Sequence, residues 1–442
     1  MNAPAHARPP RLGLRPFLED IRETPDDTSL RLILADWLED QDNPEDSARA
    51  ELIRLQCGQE LAIANSRRQR RELELISAWS ESWLGQLAER TLDWQFDRGL
   101  LRLNFGSNEF FSPEVEDVSR SEAFLWTDSI ALHGFGYSAM ERLAQDPRIA
   151  GVRELCIMQS SIGEVGLTHL AQSTHLGHVR VLRLAQARFG SRWPTPQRWP
   201  TMPHLHTLDL SQNYMEDCDL QSVLTSELPK LRHLMLSFNN ISDNCMTTMI
   251  DLPVLEHLES LNLSGNWQIS DTTLTRLSVS RLRKLDVSQS MPTPVGMRAL
   301  GMMTTLEELG VDRCEFVDDH LRELALASGL PRLHTLRVGR SFLGDESLIA
   351  LITSRPRPWR LLSLPNNQIG PRGIEVLAGS ADVQGLQELN LASNQVGDDG
   401  AFALARSPFL RKLRWLDLSN NGLTEAGVRA VKHRFGRNVL AD

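Results

Sequence analysis

One run that mixes carboxylates with leucines and a tryptophan is SLRLILADWLEDQDNPEDSARAELIRLQ, Ser29 to Gln56. Asp40, Asp42, Asp46 and Glu51 fall at positions 1, 3, 7 and 12 of a calcium-binding loop, where carboxylate oxygens would surround the ion. The loop fails at its bend, because position 5 is Pro44, where a ligand is needed, and position 6 is Glu45, where glycine makes the turn. These acids therefore read as wet faces and caps of helices. GFGYSA, Gly134 to Ala139, matches the loosest dinucleotide fingerprint, but the acid expected downstream, Glu154, falls inside a later strand pattern. His169, His175, His178 and the pair His204 and His206 lack the H-E-x-x-H helix of a zinc hydrolase. No Walker A run, no G-x-S-x-G elbow and no recognisable Cys/His arrangement occurs. The chain is expected to have no catalytic, cofactor-binding or metal-binding residues and not to be an enzyme.

The elements that would position any site follow from composition and period. The chain has 442 residues, longer than one ordinary globular core, which implies several domains or a repeat array. A net charge of −10 argues against nucleic-acid binding, which needs an excess of Lys and Arg. Five scattered cysteines without a C-x-x-C pair fit a reducing compartment. No apolar run reaches the roughly 18 residues of a membrane span, and the N-terminus lacks a signal-peptide core. The expected location is cytoplasmic.

Internal repetition dominates. The pattern L-x-x-L-x-L-x-x-N-x-I occurs as LHTLDLSQNYM from Leu205, LRHLMLSFNNI from Leu231, LQELNLASNQV from Leu386 and LRWLDLSNNGL from Leu413. Weaker copies begin at Val152, Val179, Leu258, Leu282, Leu306, Leu333 and Trp359, giving eleven copies spaced 24 to 27 residues apart. Each L-x-L piece reads as a strand and each following segment, such as Gly397 to Arg406, as a helix with Asp, Ser, Thr or Gly at its start. The pattern resembles the leucine-rich repeat family, of the ribonuclease-inhibitor-like class. The resemblance implies an α/β fold: a right-handed solenoid, or horseshoe, with a parallel sheet on the concave face and helices on the convex face.

In that family the asparagine of the ninth motif position satisfies backbone groups where the strand turns away. Asn213, Asn239, Asn266, Asn367, Asn394 and Asn421 fill that column, while Ser160, Ala187, Ser290, Cys314 and Ser341 replace it elsewhere. The segment FGSRWPTPQRWPTMP, Phe189 to Pro203, has prolines where a helix would lie and reads as an extended wrap.

Residues 13–104 change character and show four helical patterns. In the second, Leu30, Ile33, Leu34, Trp37 and Leu38 form one apolar stripe. LADWLED (Leu34 to Asp40), RAELIRLQ (Arg49 to Gln56) and WQFDRGLL (Trp94 to Leu101) resemble the repeat-companion domain that precedes leucine-rich repeats in bacteria. The expected organisation is a disordered tail at 1–12, a small all-α domain at 13–104, and a transition with a degenerate first repeat at 105–151. Eleven repeats at 152–423 and a C-terminal cap at 424–442 follow. SIALHGF, Ser129 to Phe135, reads as an extra strand within the transition.

The residue between the second and third motif leucines should point from the sheet into solvent: Cys156, Arg183, Asp209, Met235, Asn262, Asp286, Gly310, Arg337, Ser363, Asn390 and Asp417. Ser211, Phe238, Asp312, Arg313, Arg340, Asn366 and Asn420 follow the third leucine. Arg313, Arg337 and Arg340 cluster on repeats seven and eight with Asp312, and Met235 and Phe238 share repeat four. The expectation is a noncatalytic scaffold or recognition subunit in bacterial signalling or defence. An acidic segment of a protein partner would lie over the arginines and an apolar anchor on Met235 and Phe238. No nucleic acid, membrane, cofactor or small-molecule substrate is expected. The alternative is a regulator of a GTPase-like, nucleotide-hydrolysing partner.

Overall fold

The computed structural model describes residues 9–25, 27–58, 65–188, 202–225, 228–249 and 253–442. Nearly all of the Phe189 to Pro203 segment, and residues 1–8 of the tail, lie outside these. The chain forms two compact units: Met1–Asp209 with Ser226–Lys230, and Leu210–Thr225 with Leu231–Asp442.

The first unit opens with helices α1 (Leu14–Glu23), α2 (Thr28–Glu39), α3 (Pro44–Cys57) and α4 (Asn65–Leu84). The Asp27 carboxylate accepts from the Ser29 amide at 2.8 Å to start α2. Asn43 Oδ1 accepts from the Glu45 amide at 3.0 Å to start α3, with Pro44 in the first turn, where its missing N–H costs nothing. The buried face of α2 is rotated from the expected stripe. It consists of Arg31, Leu34, Ala35 and Leu38, while Ile33 and Leu32 are exposed. The reason is Arg31, whose Nη1 donates to the Pro25 carbonyl at 2.6 Å and so enters the interior.

Four acids of the opening stretch pair with arginines. Asp46 pairs with Arg11 at 2.8 Å, Glu51 with Arg71 at 2.7 Å, and Asp36 and Glu39 both with Arg54 at 2.6 Å. Arg11, within the stretch read as tail, also reaches Glu122 at 2.6 Å.

A hairpin follows, β1 (Asp93–Asp97) antiparallel to β2 (Leu100–Gly106), with Asp97 facing Leu100. Its two turn residues, Arg98 at φ 48° and Gly99 at φ 82°, are both left-handed, the geometry that suits a two-residue hairpin loop. Helix α3 grips that turn. Gln56 Oε1 accepts from the Gly99 amide at 2.7 Å, and Gln56 Nε2 donates to the Phe96 carbonyl at 3.1 Å. A side chain at position 99 would stand 2.2 Å from Ile53 Cγ1. Arg49, Ile53 and Gln56 thus share one helix face, and the RAELIRLQ and WQFDRGLL segments meet in space.

Strand β2 runs parallel to β3 (Thr127–His133), and the sheet continues in order through β4 (Glu154–Met158), β5 (Val181–Arg183) and β6 (Thr207–Asp209). The parallel ladder therefore begins two strands before the first recognisable motif copy. Gly134, at φ 69°, leads from β3 towards the Tyr137–Ala144 helix. Glu154 is tied to Arg102 at 2.6 Å and Arg183 at 2.9 Å, which leaves it no ribose-binding role.

Burial raises the Glu154 carboxyl, but the Arg183 hydrogen bond and the charges of Arg102 and Arg183 outweigh this and hold it below its ordinary value. A folded value below the unfolded one stabilises the fold above about pH 4.3, and that stabilisation is lost as the pH falls through the folded value. Glu154→Gln is expected to cost about 2 kcal/mol at neutral pH, the buried-pair range discounted for arginines that are a third exposed. It should also flatten the acid limb of a melting-temperature profile. An unchanged limb would reassign acid sensitivity to other carboxylates.

The second unit is a parallel sheet of β7 (His233–Met235), β8 (Ser260–Asn262), β9 (Lys284–Asp286), β10 (Glu308–Gly310) and β11 (Thr335–Arg337), continuing with β12 (Leu361–Ser363), β13 (Glu388–Asn390), β14 (Trp415–Asp417) and β15 (Val439–Leu440). The middle residue of β7 to β14 is a buried leucine each time, from Leu234 to Leu416. A helix follows nearly every strand, as Asp271–Leu277 follows β8 and Asp345–Thr353 follows β11.

The Asp, Ser and Thr residues at the helix starts do more than cap their own helices. The Asp243 carboxylate accepts from the Ser270 amide of the next repeat at 2.9 Å and from the Ser270 and Thr273 hydroxyls at 2.5 and 2.6 Å. Asp217 holds Ser242, Asp271 holds Thr293, and Asp398 holds Thr424 in the same way. Ser270 in turn accepts from Thr272, and Thr424 from Ala426. Each aspartate therefore fixes the spacing between helices of successive repeats, a nearest-neighbour term of the kind that stabilises repeat arrays.

Candidate functional site

The sheet face is aligned by a column of buried amides. Asn239 Nδ2 donates to the Leu210 and Leu236 carbonyls, both at 3.0 Å, while its Oδ1 accepts from the Asn213 and Met215 amides, both at 3.0 Å. Asn266, Asn367, Asn394 and Asn421 bond to the preceding repeat in the same manner, through Leu236, Val338, Leu364 and Leu391. Where the column breaks, less is made. Ser160 still donates to Met158 and accepts from the Phe135 amide, Ser290 donates to Val287, Cys314 makes long sulfur contacts, and the Ser341 hydroxyl is buried with no partner among the described residues.

The residue just before this column is left-handed in repeat after repeat: Gln212, Phe238, Gly265, Gln289, Arg313, Arg340, Asn366, Ser393 and Asn420 all have positive φ. The chain turns there from strand to loop. Glycine suits this geometry, and any other side chain costs about 1 kcal/mol. Phe238 at 54°, Arg313 at 56° and Arg340 at 52° carry that cost at solvent-exposed positions.

The predicted site residues fall into two groups. Arg313 and Arg340 occupy the same left-handed position of successive repeats, where neighbouring strands lie about 4.8 Å apart. Arg337, half-buried, faces Gly310 across the β10–β11 pair, where the partner strand has no side chain. Among the described residues, none of the ion pairs involves Arg313, Arg337 or Arg340, whereas Arg183 in the same column as Arg337 is neutralised by Glu154. Asp312 is half-buried and accepts from the Gly339 amide, so it serves the turn of the next repeat. Burial, with Asp286 nearby, raises its carboxyl above the ordinary value against the pull of Arg337 and Arg313. In the other group, Met235 is half-buried on β7, and the Phe238 ring lies over Gly265, whose missing Cβ would stand 2.6 Å from Cδ1.

Two members of the expected solvent-facing column are buried. Cys156 lies beside Glu154, and burial pushes its thiol up to about 12. At Gly310 an added Cβ would meet the Asp286 carboxylate at 2.8 Å, so Asp286 covers that position. Asn262, Asp286, Asn390 and Asp417 each accept from the amide two residues on, which accounts for Asp and Asn in this column on structural grounds.

Residues 227–246, 254–278 and 386–405 match a family model described as Leucine Rich repeat, and 412–433 match another, Leucine Rich Repeat. The chain carries leucine-rich repeats. No curated protein matches it in sequence. Its fold is similar to that of an internalin from Listeria monocytogenes, at 19% identity over 77% of this chain and 86% of that one, with a TM-score of 0.47. A chain of the Rad7 and Elc1 complex in yeast is 16% identical over 91% of this chain and 88% of its own, with a TM-score of 0.49. A chain of the mouse RP105/MD-1 complex is 18% identical over 76% and 56%, with a TM-score of 0.44.

The leucine-rich repeats also present a column that the motif reading passes over. Tyr214, Trp267, Met291 and Phe342 each follow the asparagine position directly and are between 59% and 67% exposed. The signal was in the alignment: four large apolar side chains recur at one motif position that needs no apolar residue for packing. Within the helices, Asp217, Asp243, Asp271, Asp318 and Asp398 read as caps but also bond to the following repeat. Among the described residues no group of three His, Cys, Asp or Glu side chains could hold a metal, and no helix is long and apolar enough to cross a membrane.

Proposed function

We propose that this chain is a noncatalytic recognition scaffold whose repeat surface holds a protein partner. An acidic segment of that partner lies over Arg313, Arg337 and Arg340, and an apolar side chain sits on Met235 and Phe238. The observation that carries this reading is the set of three arginines that make no ion pair among the described residues, with the half-buried Asp312 near two of them, and two of the three at left-handed positions where glycine would be less strained. Tyr214, Trp267, Met291 and Phe342 extend the surface with the side-chain types that anchor interfaces. Residues 13–104 act as the companion domain of a bacterial, cytoplasmic protein, joined through 105–151 to repeats at 152–423 and the cap at 424–442.

Capture from native lysate of the source organism, compared between wild type and variants, tests this. Arg337→Glu with Arg340→Glu should weaken retention of the captured partner at least about tenfold, or about 1.4 kcal/mol. Arg340→Gly should weaken it too while leaving the melting temperature equal or higher, because the left-handed backbone is relieved. Retention that survives both changes sinks the basic site.

A further inference from the structure

The first unit contains a cleft that no motif in the sequence marks. It has a volume of about 930 Å³ and lies against α1 and the segments 111–127 and 142–152. That is near the upper end of the roughly 300–1,000 Å³ typical of small-molecule sites. Arg22, in the last turn of α1, lines it and is largely withdrawn from water. Its Nη2 donates to the Leu125 and Thr127 carbonyls at 2.7 and 3.0 Å, and its Nε is buried with no hydrogen-bond partner among the described residues. Thr127, only 2% exposed, also lines the cleft, and its Oγ1 has no partner either.

A buried guanidinium normally has a carboxylate beside it. Here the acids are committed elsewhere: Asp128 to Arg153 at 2.7 Å, Asp146 to Arg148 at 2.5 Å and Glu116 to Arg120 at 3.7 Å. Glu19 and Glu23 line the cleft from exposed positions, as does Arg15, so solvent screens them. Phe111, Phe124, Leu125 and Val152 supply apolar wall, with the Arg142 guanidinium 4.1 Å from the Phe111 ring centroid.

We infer that this cleft binds a small anionic molecule, with a carboxylate or phosphate facing Arg22 and Thr127 and an apolar body against Phe111, Phe124 and Leu125. Asp128 and Glu19 favour the Arg22 charge from a distance; the anion supplies a counter-charge in direct contact and acceptors for the Nε–H and the Thr127 hydroxyl. The site is separate from the repeat surface proposed above, so either proposal can fail alone.

Calorimetric titration of the full chain tests it with phenylacetate and phenyl phosphate, against neutral benzyl alcohol and cationic benzylamine. One or both anions should bind at one equivalent, the tighter identifying the head group, and the neutral and cationic probes at least about tenfold more weakly. Arg22→Gln should weaken anion binding by at least about tenfold. Because Arg22 also holds two carbonyls, Gly151→Leu provides a second variant. A Cβ there would be 3.7 Å from Arg22 Nη1, so the side chain fills the cleft while the arginine stays. Loss of anion binding in Gly151→Leu at an unchanged melting temperature supports the site even if Arg22→Gln does not fold. Equal binding of all four probes, binding by none, or anion binding that survives Gly151→Leu overturns it.

Discussion

Replacing Asn239 by alanine is expected to lower the unfolding free energy by about 3–4 kcal/mol, near 1 kcal/mol for each of four buried hydrogen bonds whose backbone partners are left without water. Those partners are the Leu210 and Leu236 carbonyls and the Asn213 and Met215 amides. The side chain works in both directions because an amide is donor and acceptor at once. Aspartate in its place would turn oxygen towards two carbonyls, so Asn239→Asp should cost at least as much. Ser290→Ala, which removes a single bond to Val287, should cost far less. Urea unfolding gives the energies. Because repeats unfold with limited cooperativity, hydrogen exchange at Met215 supplies the local measure, and its amide should exchange faster in Asn239→Ala. Equal costs at positions 239 and 290 would mean that the column does not hold the repeats together.

The same column explains what was legible in the sequence. A repeat of 24 to 27 residues imposes one backbone path on every copy, so the strands, the inward leucines and the asparagines could be placed by counting. Cys156 and Gly310 escaped this logic because their exposure depends on particular neighbours, on Glu154 two residues earlier in the same strand in one case and on Asp286 of the adjacent strand in the other. Arg31 escaped it because an arginine in an amphipathic pattern reads as surface, and its hydrogen bond to the Pro25 carbonyl leaves no mark on that pattern. For the candidate site, the motif located Arg313, Arg337 and Arg340 on adjacent repeats. It did not show that two of them sit at left-handed positions, since that geometry is set by the turn and not by the residue occupying it.

Arg49 makes the same point energetically and leads to the other large expected effect. It belongs to RAELIRLQ, is 3% exposed, and its guanidinium stands 3.7 Å from the Trp126 ring centroid, 5.4 Å from Phe96 and 5.5 Å from Trp83. Those rings come from positions 34 to 77 residues downstream, so no local pattern could announce them. Burial pushes the guanidinium down to about 9, while three aromatic faces favour the cation, and Nη2 donates to the Gly99 carbonyl at 3.4 Å. Arg49→Ala should cost about 3–5 kcal/mol, combining a cavity with lost cation–π contacts. Arg49→Met should cost only about 1 kcal/mol, because it fills the same volume and removes the desolvation penalty of a buried charge. Arg49→Lys should fall nearer to alanine, since a compact ammonium cannot stack on rings as a planar guanidinium does. Tryptophan fluorescence during urea unfolding reads all three variants through Trp83 and Trp126. If methionine proves as damaging as alanine, the charge holds the helices on the hairpin; if lysine matches wild type, stacking contributes nothing.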